Sequence, residues 1–111
     1  MAARYIPERG DIVWLNFTPQ AGHEQSGHRL ALVLSPANYN GAAGLMLCCP
    51  MTTRAKGYPF EVQVDAGGAP SIALADQVKG VDWWARRAGR KGRAPAATMA
   101  EVLAKAQALL R

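Results

Sequence analysis

The apolar pattern of this chain changes period once, near its C-terminal end. Upstream, short runs of β-branched, aromatic and aliphatic residues are cut at close intervals by Gly, Pro and Asn. Downstream, Met99, Val102, Leu103, Ala106, Leu109 and Leu110 recur at steps of three and four. The first pattern predicts strands and the second an amphipathic helix. No helical segment of sufficient length separates the upstream runs, so parallel crossovers are disfavoured. The expected fold is mainly β with a C-terminal helix, arranged as a small, partly open β-barrel.

Ile12–Phe17, bounded by Gly10 and Pro19, reads as the first strand. A polar connection over Thr18–His28 follows, and long connections in small domains tend to carry function. Arg29–Ser35 reads as a second strand stopped by Pro36, Asn38–Gly41 as a turn, and Leu45–Cys49 as a third strand closed by Pro50. Thr52–Gly57 is a second polar loop. Phe60–Val64 alternates like a half-buried strand, and Ile72–Val78 is a further strand candidate. Pro95 and the box Thr98-x-x-Glu101 compete to mark the first turn of the helix.

With 111 residues, one domain spanning 1–111 is expected, able to bury a single core. The longest uncharged stretch, Leu30–Thr53, is broken by Ser35-Pro36 and by Asn38–Gly41, so no membrane span is expected. The first residues lack the apolar block of a secretory signal. Cys48 and Cys49 are neighbours, a poor geometry for a disulfide, and they lack metal-ligand spacing. His23 and His28 have no third ligand nearby, which argues against zinc. A reduced, cytoplasmic protein without metal is the expectation.

Charge is distributed unevenly. Residues 1–76 carry five basic and six acidic side chains, whereas residues 77–111 carry eight and two. Arg86, Arg87, Arg90, Lys91 and Arg93 form the densest group. Such an imbalance fits a polyanionic partner, nucleic acid before membrane; a solvated face is the alternative. Nucleophile elbows, phosphate-binding loops and dinucleotide fingerprints are absent. What remains are the two polar loops, one with His23, Glu24, Gln25, Ser26, His28 and Arg29, the other with Thr52, Thr53, Arg54 and Lys56. If the loops meet, they offer an anion a guanidinium, an ammonium and two hydroxyls. Otherwise Arg29 pairs with Glu24 on the surface and the threonines are turn residues.

Several stretches together resemble a known family. These are Arg4-Tyr5-x-Pro7, Gly10-Asp11-x-x-Trp14, Glu24-Gln25-x-Gly27-His28-Arg29 and Val33-Leu34-Ser35-Pro36 with Tyr39-Asn40. Pro50-x-Thr52-Thr53, Lys56-Gly57-Tyr58-Pro59-Phe60-Glu61-Val62 and Ala73–Lys79 continue the match nearly end to end. The chain is similar to the MazF toxins of type II toxin–antitoxin systems, closest to the group that cleaves at ACA. The resemblance implies an SH3-like barrel shared with PemK/Kid and CcdB toxins. It also implies a homodimer, cofactor-free and metal-free cleavage of single-stranded RNA, and inhibition by a MazE-type antitoxin, with operator DNA reached only through that antitoxin. A CcdB-like toxin acting on gyrase, or a non-catalytic nucleic-acid or antitoxin-binding module, are the alternatives on the same fold.

In this family the ribose 2′-hydroxyl attacks the adjacent phosphorus, leaving a 2′,3′-cyclic phosphate and a 5′-hydroxyl. Arg29 and Thr52 match the catalytic arginine and threonine. Glu24 matches an activity-linked position; as a carboxylate ionised near neutrality it is a better acceptor for the 2′-proton than a guanidinium. Asn40, Gln77 and Lys79 match RNA contacts, and His28 and Thr53 flank the catalytic pair. Lys56 suits a phosphate, and Phe17 suits either a stacked base or the core. Trp83-Trp84 suits packing more than stacking. The basic cluster suits either a longer RNA track or the acidic tail of an antitoxin. Three departures from the family stand out: Leu30 where it usually has proline, Thr18 in place of an acidic residue, and little likeness over Asp65–Ser71.

Overall fold

The computed structural model describes residues 5–17, 27–65 and 71–111. Seven strands and two helices follow in the order β1 (Asp11–Phe17), β2 (Gly27–Val33), α1 (Ala37–Ala43), β3 (Met46–Thr52), β4 (Glu61–Val64), β5 (Ser71–Leu74), β6 (Lys79–Val81), β7 (Gly89–Arg93) and α2 (Ala96–Ala108). The sheet runs β4-β5-β3-β2-β1-β7, with β6 added to β3. Every ladder is antiparallel. It is the expected mainly-β half-barrel with a C-terminal helix.

The central strands are buried on both faces, which explains why β2 reads as a nearly continuous apolar run. One apolar cluster joins Ile12, Leu32 and Cys49 to Val62 and Val64 of β4 and to Met99 and Val102 of α2. The other joins Val13, Leu15, Ala31, Val33, Met46 and Cys48 to Val81 and Trp83. Successive residues of β1, β2 and β3 thus belong to opposite clusters, as strand alternation requires.

Four local expectations are corrected. The segment around Asn38–Gly41 forms a helical element, α1, and not a turn. Pro36 enters it in extended backbone and Gly44 closes it at φ +74, a left-handed conformation that suits glycine. Buried bonds to Asn40 override the weak helix propensity of Asn and Gly. Second, β3 does not stop at Pro50 but continues to Thr52. Pro50 lies opposite Ala31 at the last step of the β2 ladder, and Met51 and Thr52 then pair with Ala73 and Ile72 of β5. A proline has no N–H for a ladder, so it fits the point where a strand changes partner. Third, Ile72–Val78 is not one strand, because β5 ends at Leu74 and pairing with β3 resumes at Lys79.

The fourth correction concerns β7, which lacks strand-forming residues and was not anticipated. It forms the edge beside β1, where it brings counter-charge to Asp11. Asp11 is only 3% exposed. Arg93 Nη1 donates to its Oδ1 at 2.9 Å, Arg90 Nε lies 3.7 Å away, and Tyr5 and the Glu8 N–H donate to Oδ2. Two members of the basic cluster are thereby engaged within the fold. At α2, Pro95 is the N-cap and no side-chain cap forms, so the Thr98 box is not used.

Candidate active site

Arg29 lies on β2 opposite Leu15 of β1. Thr52 is the last residue of β3. The β2–β3 register pairs Ala31 with Pro50. That ladder ends there, and beyond Pro50 β3 pairs with β5, so Arg29 and Thr52 each lie two residues past the last β2–β3 pair. Arg29 alternates with Ala31 and Val33 along β2, and Thr52 with Cys48 along β3; Ala31, Val33 and Cys48 belong to the second apolar cluster. Arg29 is exposed and Thr52 half-buried.

The hydroxyl of Thr52 has a defined orientation. The backbone N–H of Arg54 donates to Oγ1 at 3.1 Å. That uses one lone pair and leaves the O–H proton available to a ligand. Thr53, Arg54 and Lys56 follow on an exposed loop. Glu61 holds this loop from the start of β4. Its Oε2 accepts the Lys56 N–H at 2.8 Å and its Oε1 the Gly57 N–H at 3.0 Å. Gly57 sits at φ +83, a conformation that permits the two N–H groups to converge on one carboxylate. Tyr58 OH donates to Asp76 Oδ1 at 3.4 Å, tying the end of the loop to the turn that precedes Gln77. Sequence reasoning missed the Glu61 contact, because nothing in the Lys56–Glu61 spacing announces that the chain doubles back.

Gln77 is exposed beyond β5. Lys79, exposed on β6, pairs in register with Cys48, four residues before Thr52 on β3. Phe17 pairs with Gly27, and His28 with Asn16, at the end of the β1–β2 ladder, which puts both backbones next to Arg29; their side chains lie outside what is described. Glu24 lies outside the described residues.

Asn40 requires a correction. It is 0% exposed. Its amide donates to the carbonyls of Pro7 at 2.7 Å and Ser35 at 3.0 Å, and its Oδ1 accepts the Ser35 hydroxyl at 2.6 Å. Its backbone carbonyl accepts Trp83 Nε1–H at 2.9 Å. With every polar group committed inside the protein, Asn40 is a structural hub and not an RNA contact. Trp83 is buried against the same hub, and Trp84 meets it edge to face at 6.3 Å.

The described residues offer no activated nucleophile. Burial pushes the Cys48 thiol up to about 11 and the Cys49 thiol up to about 12. Burial, with the Asp11 carboxylate beside it, also raises the Tyr5 phenol. Among the described residues no group of three or more His, Cys, Asp or Glu could hold a metal ion. No helix there is long and apolar enough to cross a membrane. What the site presents is a guanidinium and an oriented hydroxyl, with lysines at its margins. That set binds and stabilises an anion, and suits a substrate carrying its own nucleophile.

Comparison with known proteins agrees with this geometry. The chain is 52% identical over 92 residues to the endoribonuclease toxin MazF of Escherichia coli K12, covering 83% of each. It is 57% identical to MazF in a MazE–MazF crystal structure from Deinococcus radiodurans, with a TM-score of 0.90 over 96% of this chain and 97% of that one. The Mycobacterium tuberculosis toxin MazF-mt6 shares the fold at 16% identity, with a TM-score of 0.70 over 90% of this chain and 95% of the other. Residues 8–110 match the profile of the PemK-like, MazF-like toxins. The chain therefore belongs to the PemK-like, MazF-like toxins of type II toxin–antitoxin systems.

Proposed function

We propose that this single-domain chain is a cytoplasmic, metal-independent endoribonuclease that cuts single-stranded RNA at ACA-containing sites and thereby arrests translation. What supports this reading is that Arg29 and Thr52 each lie two residues past the last β2–β3 pair, while among the described residues burial pushes both cysteine thiols up. RNA supplies the missing group as its 2′-hydroxyl. Arg29 takes the non-bridging oxygens of the scissile phosphate through paired donors and stabilises the charge that grows on the phosphorane. Thr52 donates its O–H to the same phosphate, its oxygen held by Arg54. Glu24 accepts the 2′-proton. The 2′-oxygen bonds to phosphorus as the 5′-oxygen leaves, giving a 2′,3′-cyclic phosphate and a 5′-hydroxyl.

His28, Thr53, Lys56, Gln77 and Lys79 contact the RNA strand around the cut, and Phe17 stacks a base. The working form is a homodimer, inhibited by a MazE-type antitoxin such as the one seen with MazF in Deinococcus radiodurans; operator DNA is reached only through that antitoxin.

The test is incubation of the purified protein with a long single-stranded RNA in EDTA, with mapping of the cut ends. Cuts at ACA with cyclic-phosphate and 5′-hydroxyl termini are expected. Intact RNA, or cleavage that needs added metal, overturns the reading; impaired supercoiling by gyrase would place the chain with the CcdB-like toxins instead.

A further inference from the structure

We propose that the free edge of β7, with Trp14 and Lys91 at its centre, is a second binding surface for single-stranded RNA, holding nucleotides that flank the cleaved linkage. This rests on the nuclease reading above and extends it away from the catalytic pair.

Three features meet at this edge. First, β7 is the outermost strand beside β1, and its sequence Gly89-Arg90-Lys91-Gly92-Arg93 places three cations in five residues. Second, the β1–β7 ladder is bulged there: Ile12 pairs with Gly92 and Val13 with Arg90, so Lys91 is the extra residue. A bulge at a sheet edge re-aims its side chain, and here Lys91 Nζ lies 5.6 Å from the centre of the Trp14 ring. Third, Trp14 is 38% exposed despite sitting in the middle of β1. An edge that merely prevents strand pairing needs charge but no partly exposed indole.

The cations are not equivalent. Arg93 is taken by Asp11, and Arg90 Nε stands 3.7 Å from the same carboxylate. Among the described residues, Lys91 stands over the Trp14 indole. A cation over an exposed ring is a weaker contact than a stacked base. A single strand can thus exchange one for the other, its base stacking on Trp14 while Lys91 moves to the adjoining phosphate. Arg90 pairs with Val13, whose face also bears Arg29, so the edge carries cations toward the catalytic face as well as toward Trp14. From Arg29 to the bulge the route crosses two strand spacings, about 10 Å, and two or three residues along β1. The exposed aromatic favours RNA over an acidic peptide, which would use the cations and ignore the ring.

The experiment compares a short RNA containing one cut site with the same RNA extended by about eight uridines on either side, a length within the usual reach of a single-strand surface. KM and kcat are measured across a salt series for the wild type, Lys91→Gln and Trp14→Phe. The extended RNA is expected to bind about five- to thirtyfold tighter to the wild type. Lys91→Gln should erase most of that gain and reduce the salt slope by about 0.7. It should leave kcat on the short RNA unchanged, and Trp14→Phe should retain part of the gain. Equal binding of short and extended RNA overturns the proposal. So does a Lys91→Gln variant that weakens both equally, or that weakens only an antitoxin complex. If the wild type cuts neither RNA, the nuclease reading fails, and tryptophan fluorescence titration with the same oligonucleotides still decides whether Lys91 confers the length dependence.

Discussion

Thr52 Oγ1 accepts the backbone N–H of Arg54 at 3.1 Å, so the hydroxyl that ends β3 is aimed by its own turn. Thr52→Ser should keep most of the RNA cleavage, and Thr52→Ala should lower kcat at least about tenfold. Arg29→Ala should lower it by about a hundredfold or more, the scale of losing a key transition-state donor. Arg29→Lys should restore little, because an ammonium cannot supply the paired donors of a guanidinium. Rates from single-turnover cleavage, with folding verified by circular dichroism, check this; native rates in Arg29→Ala would remove it from the site.

Glu61 should act on substrate binding through the loop it holds. Replacing it with Ala frees the N–H groups of Lys56 and Gly57. We expect kcat/KM to fall about tenfold, mainly through KM, because Lys56, the proposed phosphate contact, loses its fixed backbone. Glu61→Gln keeps one acceptor and should lie between. Amide exchange at Lys56 and Gly57 should quicken in step with the rise in KM; a large KM change without faster exchange would contradict the clamp.

Asn40→Ala should reduce stability and leave RNA recognition alone. The substitution removes the buried partner of the Ser35 hydroxyl and of the Pro7 and Ser35 carbonyls. The loss should be about 2–4 kcal/mol by urea denaturation. Below its melting temperature the variant should bind RNA like the wild type, and a selective rise in KM at full stability would return Asn40 to the RNA surface.

Alkaline pH should unfold the protein through its two buried thiols. In the folded state both titrate above the ordinary value of 9.0, Cys48 at about 11 and Cys49 at about 12. Raised groups contribute full stability below 9.0, and that contribution is lost as pH climbs through the folded values, because the unfolded chain releases those protons first. Melting temperature should hold up to about pH 9 and then decline, less steeply in Cys49→Ala. Thiol reagents should label neither cysteine faster than the protein unfolds.

Arg87 adopts a φ of +53, a left-handed conformation strained for a side-chain-bearing residue. Arg87→Gly should raise stability by about 0.5–1 kcal/mol, the relieved strain outweighing the greater freedom of glycine in the unfolded chain. A lower melting temperature would show that the arginine side chain stabilises the Trp83–Arg87 turn by contacts of its own.

The order of strands followed by a terminal helix was legible from periodicity alone, because each strand had to place apolar residues on a buried face and Met99–Leu110 repeated at helical steps. Arg29 and Thr52 were legible as chemistry-bearing residues through the motifs around them. Their placement just past the end of the β2–β3 ladder was not, since it depends on a register between strands whose pairing no local pattern encodes. The same holds for Asn40, whose polar side chain looked suited to a base edge until Pro7, Ser35 and Trp83 closed around it. It holds for β7 too, where a run of arginines became a strand that brings counter-charge to a buried Asp11 on its neighbour. Sequence by itself determined which segments had to be buried and which groups could meet an anion, since hydrophobicity and ionisation belong to single residues. Tertiary structure decided which of those groups face the same solvent, because pairing, bulges and buried hydrogen bonds arise only when distant segments compete for the same partners.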